Sequence, residues 1–255
     1  MKQLEFDDKI ATIKEFAKSL YLSYSFRNIK EEIKEAEVAK PDYIDFIYSL
    51  YEKETDLRKE NGKISRIRNA NFPYKKYLDN LKVEDIPKEA ASKLGMLKTL
   101  EFINNGQNII LAGNPGTGKT HIAISLGIEA CNAGFKVLFT AVPNLINRLK
   151  EAKSNKTLLN YQNLFVKYDL IILDELGYIS FDKEGGELLF ELISLRAERK
   201  SIIITTNLSF DRWDEVFKDP IMTTAIIDRL THKSFVLDMS GSSYRLKETK
   251  EFLKN

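Results

Sequence analysis

Cysteine is almost missing from this chain. Cys131 is the only one, so no internal disulfide can form; a reducing cytosol is the simplest home, and the expected localisation is cytoplasmic. Histidine is nearly as scarce. His121 and His232 are the two present, and without a Cys/His cluster a structural zinc site is not expected. No stretch approaches the roughly 18 uncharged apolar residues of a membrane span. The opening "MKQLEFDDKI" is acidic and amphipathic, without the apolar core of a signal peptide, so no membrane partner is expected. Net charge is small as well: 39 basic against 37 acidic residues leave +2. Global charge therefore neither implies nor excludes nucleic acid.

What is present is a chain of 255 residues, 43% hydrophobic and 30% charged, enough for one large α/β domain or for a core plus a smaller module. Charge is unevenly distributed. Residues 1–52 carry 8 basic and 11 acidic groups, whereas residues 53–76 carry 8 basic and 3 acidic. Residues 1–70 read as helical. Ile10, Ile13, Ala17 and Leu20 follow helical spacing, with Asp7 or Asp8 available as N-cap. Ile29, Ile33 and Ala36 mark a second helix, which Lys40-Pro41 ends. Asp42 can cap a third, on which Ile44, Ile47, Tyr48 and Tyr51 share a face, and Asn61-Gly62 suggests a break in it. Asn71-Phe72-Pro73 reads as a linker. The expected division is a helical domain at 1–70 that binds DNA or a partner, a linking stretch at 71–105, and a core at 106–255.

From about residue 106 the texture changes. "NIILAG" (108–113), "KVLFT" (136–140), "YDLIILDE" (168–175) and "SIIITTN" (201–207) are near-continuous apolar runs, as parallel strands buried on both faces require. "SFVLDM" (234–239) supplies a fifth. Helical patterns at 118–133 and 183–198 alternate with them, so the fold class is α/β, a parallel sheet flanked by helices.

Only 12 glycines occur, yet three of them fall within "LAGNPGTGKTHIA". Gly113-Asn114-Pro115-Gly116-Thr117-Gly118-Lys119-Thr120 matches G-x-x-x-x-G-K-[ST], and it lies between a strand and a helix. Glycines there let successive N–H groups point inward around phosphate oxygens, and the helix N-terminus adds partial positive charge. Lys119 is expected to reach the β- and γ-phosphates and Thr120 to ligate Mg²⁺. His121 belongs to the same nucleotide-contacting stretch as a helix residue packed beneath the loop, not as a catalyst. At the end of "LIILDE", Asp174 is placed to hold the Mg²⁺ shell and Glu175 to orient or deprotonate a water that attacks the γ-phosphate. ATP and Mg²⁺ are the implied cofactors. At the end of the next strand, Asn207 either positions that water or closes an Asx turn.

"GNPGTGKTHIA", "LIILDELGY", "TTNLSFDRWDEVFKDP", "IIDRL" and "GSSYRLKE" stand in an order and spacing that resemble the AAA+ ATPases of the DnaC/IstB-like clade, and within it the IstB-like insertion-sequence transposition helpers. The resemblance covers residues 75–250 and extends weakly into 41–73. It implies an ATPase with a P-loop AAA+ core behind a small helical domain, in which Asn207 takes the sensor-1 position and Arg229 acts as an arginine finger on a neighbouring subunit's nucleotide. Arg199 is an alternative finger, and an ion pair with Asp228 or Glu215 is an alternative for Arg229. Arg245 resembles a sensor-2 arginine. Only sixteen residues follow Met239, too few for a full helical lid.

The same resemblance implies DNA binding. Arg58, Lys59, Lys63, Arg66 and Arg68, near Phe72, Tyr74, Lys75 and Lys76, make one basic cluster; a solvated helix face would look the same. Lys150, Lys153 and Lys156 make a second, in a segment that breaks at Ser154-Asn155 and where the clade inserts an extra helix that helps to contact DNA. No base-reading motif is visible, so contacts would be to phosphates. The expected activity is that of an ATP-dependent helper that self-associates into a helical or ring-like oligomer on duplex DNA and regulates a cognate transposase. A replicative helicase loader of the DnaC type is the alternative, with a monomeric small-molecule kinase behind it.

Overall fold

The computed structural model describes residues 2–253. The chain divides into two units, Met1–Ser65 and Arg66–Asn255. In the first, α1 (Lys2–Ser19) and α2 (Ser23–Ala39) pack together, and α3 (Tyr43–Asn69) begins. Among the described residues, Ile10, Ala17 and Ile29 are its buried apolar side chains. Two local expectations fail here. Asp7 and Asp8 do not cap α1, because the helix already starts at Lys2 and contains both; Asp7 pairs with Lys30 instead. Asn61-Gly62 does not break α3, which runs on to Asn69. A glycine inside a helix costs about 1 kcal/mol, too little to stop a helix with good formers on both sides. Asp42 does cap α3, accepting from the Asp45 amide at 2.8 Å. The face carrying Ile44, Ile47, Tyr48 and Tyr51 is exposed.

The second unit holds α4 (Lys88–Leu97), α5 (Glu101–Asn104), β1 (Ile109–Ala112), α6 (Lys119–Asn132), β2 (Val137–Ala141), α7 (Val142–Ser154), α8 (Leu158–Val166), β3 (Leu170–Leu176), α9 (Lys183–Ser194), β4 (Ser201–Thr206), α10 (Asp214–Phe217), α11 (Pro220–Thr231), β5 (Phe235–Asp238) and α12 (Tyr244–Phe252). The strands form one sheet in the order β2-β3-β4-β1-β5, and every neighbouring pair is parallel. Side chains alternate across the sheet. Ile109, Leu111, Leu170, Ile172 and Ile203 pack on α6 at one face. Ile110, Ile171, Leu173, Ile202 and Ile204 join α7, α9 and α11 at the other. Burial on both sides explains the unbroken apolar runs, each such side chain contributing about 1.5–3 kcal/mol.

Phe72, read as part of a linker, packs against the first of these clusters, with its ring centroid 6.2 Å from that of Phe139. The helix expected over 183–198 stops at Ser194, and Arg196 turns inward beyond it. No helix among the described residues is long and apolar enough to cross a membrane.

Candidate functional site

Parallel order puts the C-terminal ends of β1, β3 and β4 side by side, and the loops leaving them build the site. The loop after β1 turns through Gly113 (φ 151°), Gly116 (φ 79°) and Gly118 (φ 93°) before α6 begins at Lys119. Two of these positions are closed to a side chain for a second reason. A Cβ on Gly113 would lie 2.3 Å from the Met239 carbonyl carbon, and one on Gly116 would lie 2.2 Å from Ser243 Oγ. The residues after β5 thus press directly on the loop: Tyr244 donates its amide to Gly116 O at 2.9 Å, and Asn114 Nδ2 donates to Gly241 O at 3.2 Å.

Inside the loop, the Lys119 ammonium donates to Gly113 O at 2.7 Å and Asn114 O at 2.6 Å. Burial pulls its pKa down to about 8; Asp174 opposes that shift, and Arg245 adds to it. Thr120 donates its hydroxyl to Asp174 Oδ1 at 2.9 Å. On the other side of the carboxylate, Thr205 donates to the same oxygen at 2.5 Å and accepts the Glu175 amide at 3.0 Å. Asp174 is buried between these hydroxyls, whereas Glu175 is exposed.

The backbone explains the contrast. Regular β3–β4 pairing ends at Leu173↔Ile204 and resumes, shifted, at Leu176↔Thr206. Within that bulge Glu175 adopts φ 63°, a left-handed conformation that costs a non-glycine residue about 1–3 kcal/mol. Strain of this kind is retained where a side chain must be aimed, and Glu175 is aimed into a cavity of about 690 Å³. Gly116, Gly118, Lys119, Thr120, Asn207 and Arg245 are among its other lining residues. Asn207 follows β4 and is exposed; Arg245 arrives on α12, carried back by the short tail.

His121 also lines the cavity, with Nε2 3.1 Å from Tyr77 O. Burial lowers its pKa, and the Tyr77 carbonyl partly opposes that shift. Tyr74, read from the sequence as a companion of the basic cluster, lines this cavity too, as do Tyr178 and Tyr244. Thr205, which links Asp174 to Glu175, carried no signal beyond its place at the end of an apolar run. Among the described residues no three His, Cys, Asp or Glu side chains gather to hold a metal ion. A divalent ion here would depend on Thr120, Asp174 and oxygens from a ligand, a donor set that suits Mg²⁺.

Within the second unit, Arg66, Arg68, Lys150, Lys153, Lys156, Arg199 and Arg229 line neither this cavity nor the smaller one beside it. The guanidinium of Arg229, on α11, lies 4.8 Å from the Phe190 ring centroid and donates to Ala225 O at 3.0 Å. Among the described residues it makes no ion pair with Asp228 or Glu215, and Glu215 is held by Arg212 at 2.9 Å. Arg199 follows α9 in a turn, its amide bonded to Arg196 O. Several basic residues are engaged locally: Arg58 with Tyr21 O, Lys59 with Asp56, Lys63 with Glu60, and Arg66 with Cys131 O. Lys150 pairs with Asp182 at 2.6 Å and Lys153 with Glu184 at 2.7 Å. Arg68 is exposed, and Lys156 sits at φ 56° between α7 and α8.

The profile of the IstB-like ATP binding proteins matches residues 15–252. The ATP-binding protein of insertion sequence IS21 from Pseudomonas aeruginosa is 36% identical over 231 residues, covering 91% of this chain and 86% of that protein. That of insertion sequence IS5376 from Geobacillus stearothermophilus is 36% identical over 206 residues, 81% of this chain and 82% of its own length. Among solved structures, the DnaC helicase loader superposes with a TM-score of 0.52 at 20% identity, over 71% of this chain and 98% of that one. AMPPCP-bound DnaA from Aquifex aeolicus gives 0.55 at 22% identity, over 72% of this chain and 56% of that one. Likeness at that identity concerns the fold alone, a parallel sheet flanked by helices. At 36% identity the relationship is closer: the chain belongs to the family of IstB-like ATP binding proteins of insertion sequences.

Proposed function

We propose that the protein is an ATP-hydrolysing transposition helper that assembles on duplex DNA without sequence preference and regulates a partner transposase. The observation that carries the ATPase reading is the meeting of Lys119, Thr120, Asp174 and Glu175 at one sheet edge, with Glu175 held in a strained conformation that points it into the cavity. Backbone amides of residues 116–120 and the Lys119 ammonium bind the phosphates. Thr120 and Asp174 would hold Mg²⁺, which when bound would neutralise phosphoryl charge. Glu175 orients a water whose oxygen bonds to the γ-phosphorus as the bond to the β–γ bridging oxygen breaks. ADP leaves with that electron pair, and the water proton passes to the Glu175 carboxylate and on to solvent. Asn207 positions the same water, Arg245 steadies the phosphates from the same subunit, and Arg229 reaches a neighbouring subunit's nucleotide.

Membership of a family of insertion-sequence proteins supports transposase regulation over helicase loading. Exposed Arg68 and Lys156, together with the locally paired basic residues, are the proposed DNA contacts, at phosphates alone. Lys119→Ala is expected to abolish ATP binding measured by calorimetry. Glu175→Gln is expected to keep binding, cut turnover at least a hundredfold, and trap the protein on duplex DNA in gel shifts. Normal turnover by Glu175→Gln removes that residue as the base. Co-purification of a hexameric helicase in place of a transposase moves the assignment to a loader.

A further inference from the structure

A second cavity of about 450 Å³ lies against the same sheet edge, lined by Asn71, Thr140, Asn144, Arg148, Asp174 and Arg245. It shares Tyr74, Thr120, Glu175 and Arg245 with the larger cavity, so the two adjoin across the Thr120–Glu175 edge. Asn144 and Arg148 stand four residues apart on α7, on one face of that helix, and both are exposed. The chamber therefore meets solvent at Asn144 and Arg148. Asn71, Thr140, Asn144 and Arg148, which line it, have no part in the ATPase reading.

Its chemistry is specific. Arg148 and Arg245 face it with two guanidiniums, and Asn71, Asn144 and Thr140 add amide and hydroxyl groups. Asp174 Oδ1 is turned to the hydroxyls of Thr120 and Thr205. Asp174 and Glu175 both line the chamber, so its two guanidiniums are matched by two carboxylates, and an anion would be held by the local donors of Arg148, Asn144 and Asn71 and not by a net positive charge. Small oxyanions with tetrahedral acceptors are what such a donor set holds best. One forms next door whenever the γ-phosphate is cut. We infer that this chamber is a binding site for inorganic phosphate, the second product of hydrolysis, and that Arg148 is the cation that receives it on its way to solvent. The inference rests on the ATPase reading proposed above.

Tyr161 on α8 lies close enough to Arg148 for the guanidinium to act on its hydroxyl, so a purely structural role for the arginine has to be separated from phosphate binding. The experiment uses the full chain loaded with ADP and Mg²⁺ and titrates inorganic phosphate by calorimetry, beside Arg148→Ala and Tyr161→Phe. Arg148→Ala is expected to weaken phosphate binding at least tenfold while changing the Kd for ADP less than twofold. Tyr161→Phe, which removes only the hydroxyl, is expected to keep phosphate affinity within twofold. Equal phosphate affinity in Arg148→Ala and the unaltered protein overturns the site, and so does an equal loss in both variants. Failure of the ADP-loaded protein to take up phosphate, although it hydrolyses ATP, overturns it too. A protein that neither binds ADP nor hydrolyses ATP removes the ATPase reading, and the phosphate chamber falls with it.

Discussion

At the scale of single residues, the site is made by giving chemically similar groups different surroundings. Asp174 and Glu175 are adjacent carboxylates, but one is buried under two threonine hydroxyls and the other faces a cavity. Alternation along a strand separates them, and the bulge completes the separation. Lys119 shows the same dependence on place. Burial lowers its pKa to about 8, so the free protein begins to lose that proton as the pH rises through 8. Phosphate oxygens favour the charged ammonium, which makes the pKa in the complex higher, and above pH 8 binding must take up a proton. Affinity for an ATP analogue is therefore expected to be flat from pH 6.5 to 7.5 and to fall above pH 8, approaching about tenfold per pH unit. Titrations at a series of pH values check this. Constant affinity up to pH 9.5 would show that Lys119 stays charged throughout.

At the scale of elements, partners distant in sequence complete what local sequence leaves unfinished. Helix α2 has no capping side chain of its own; Glu54 from α3 accepts from the Tyr24 and Ser25 amides at 2.8 and 3.0 Å. Beyond α9, the Arg196 side chain is fully buried and donates to the carbonyls of Phe165, Tyr168, Asp169 and Ser201. It ties the end of α8 and the approach to β3 to the start of β4, the two strands that carry Asp174 and Thr205. Burial drags its pKa down to about 10, still high enough for the guanidinium to stay charged near neutrality. Arg196→Leu leaves these buried carbonyls without their donor, and hydrogen bonds to charged groups are worth about 1.5–3 kcal/mol each. A stability loss of at least about 3 kcal/mol in denaturant unfolding is expected. A loss below about 1 kcal/mol would mean that water takes over the arginine's role.

At the scale of the whole molecule, the question is whether one chain contains a complete site. Arg229 lines neither cavity of its own subunit, and its guanidinium rests on Phe190. An arginine that acts on a neighbour makes turnover depend on assembly. On the proposed roles, Arg229→Ala subunits would keep an intact nucleotide site but offer no finger, and Glu175→Gln subunits would offer a finger but not hydrolyse. Each alone is expected to be nearly inactive, and an equal mixture on duplex DNA is expected to recover measurable ATPase activity. If the mixture stays as inactive as its components, Arg229 does not act in trans.

Much of this protein was legible before any coordinates. The phosphate loop occupies consecutive residues, and the parallel sheet announces itself in unbroken apolar runs because both of its faces are covered. Both signals are local, so order along the chain preserves them. The misreadings were local too: Asn61-Gly62 has a turn's composition, but its helical neighbours outweighed a cost of about 1 kcal/mol. Tertiary structure alone decided the rest. Thr205 met Asp174 because β3 and β4 are neighbours in the sheet, Arg245 reached the cavity because the tail folds back over Gly116, and Arg148 met the catalytic edge because α7 packs beside β3. Sequence determines which groups exist and which backbone they favour; only closure of the chain brings together side chains separated by dozens of residues, and it is their separation in space that sets their chemistry.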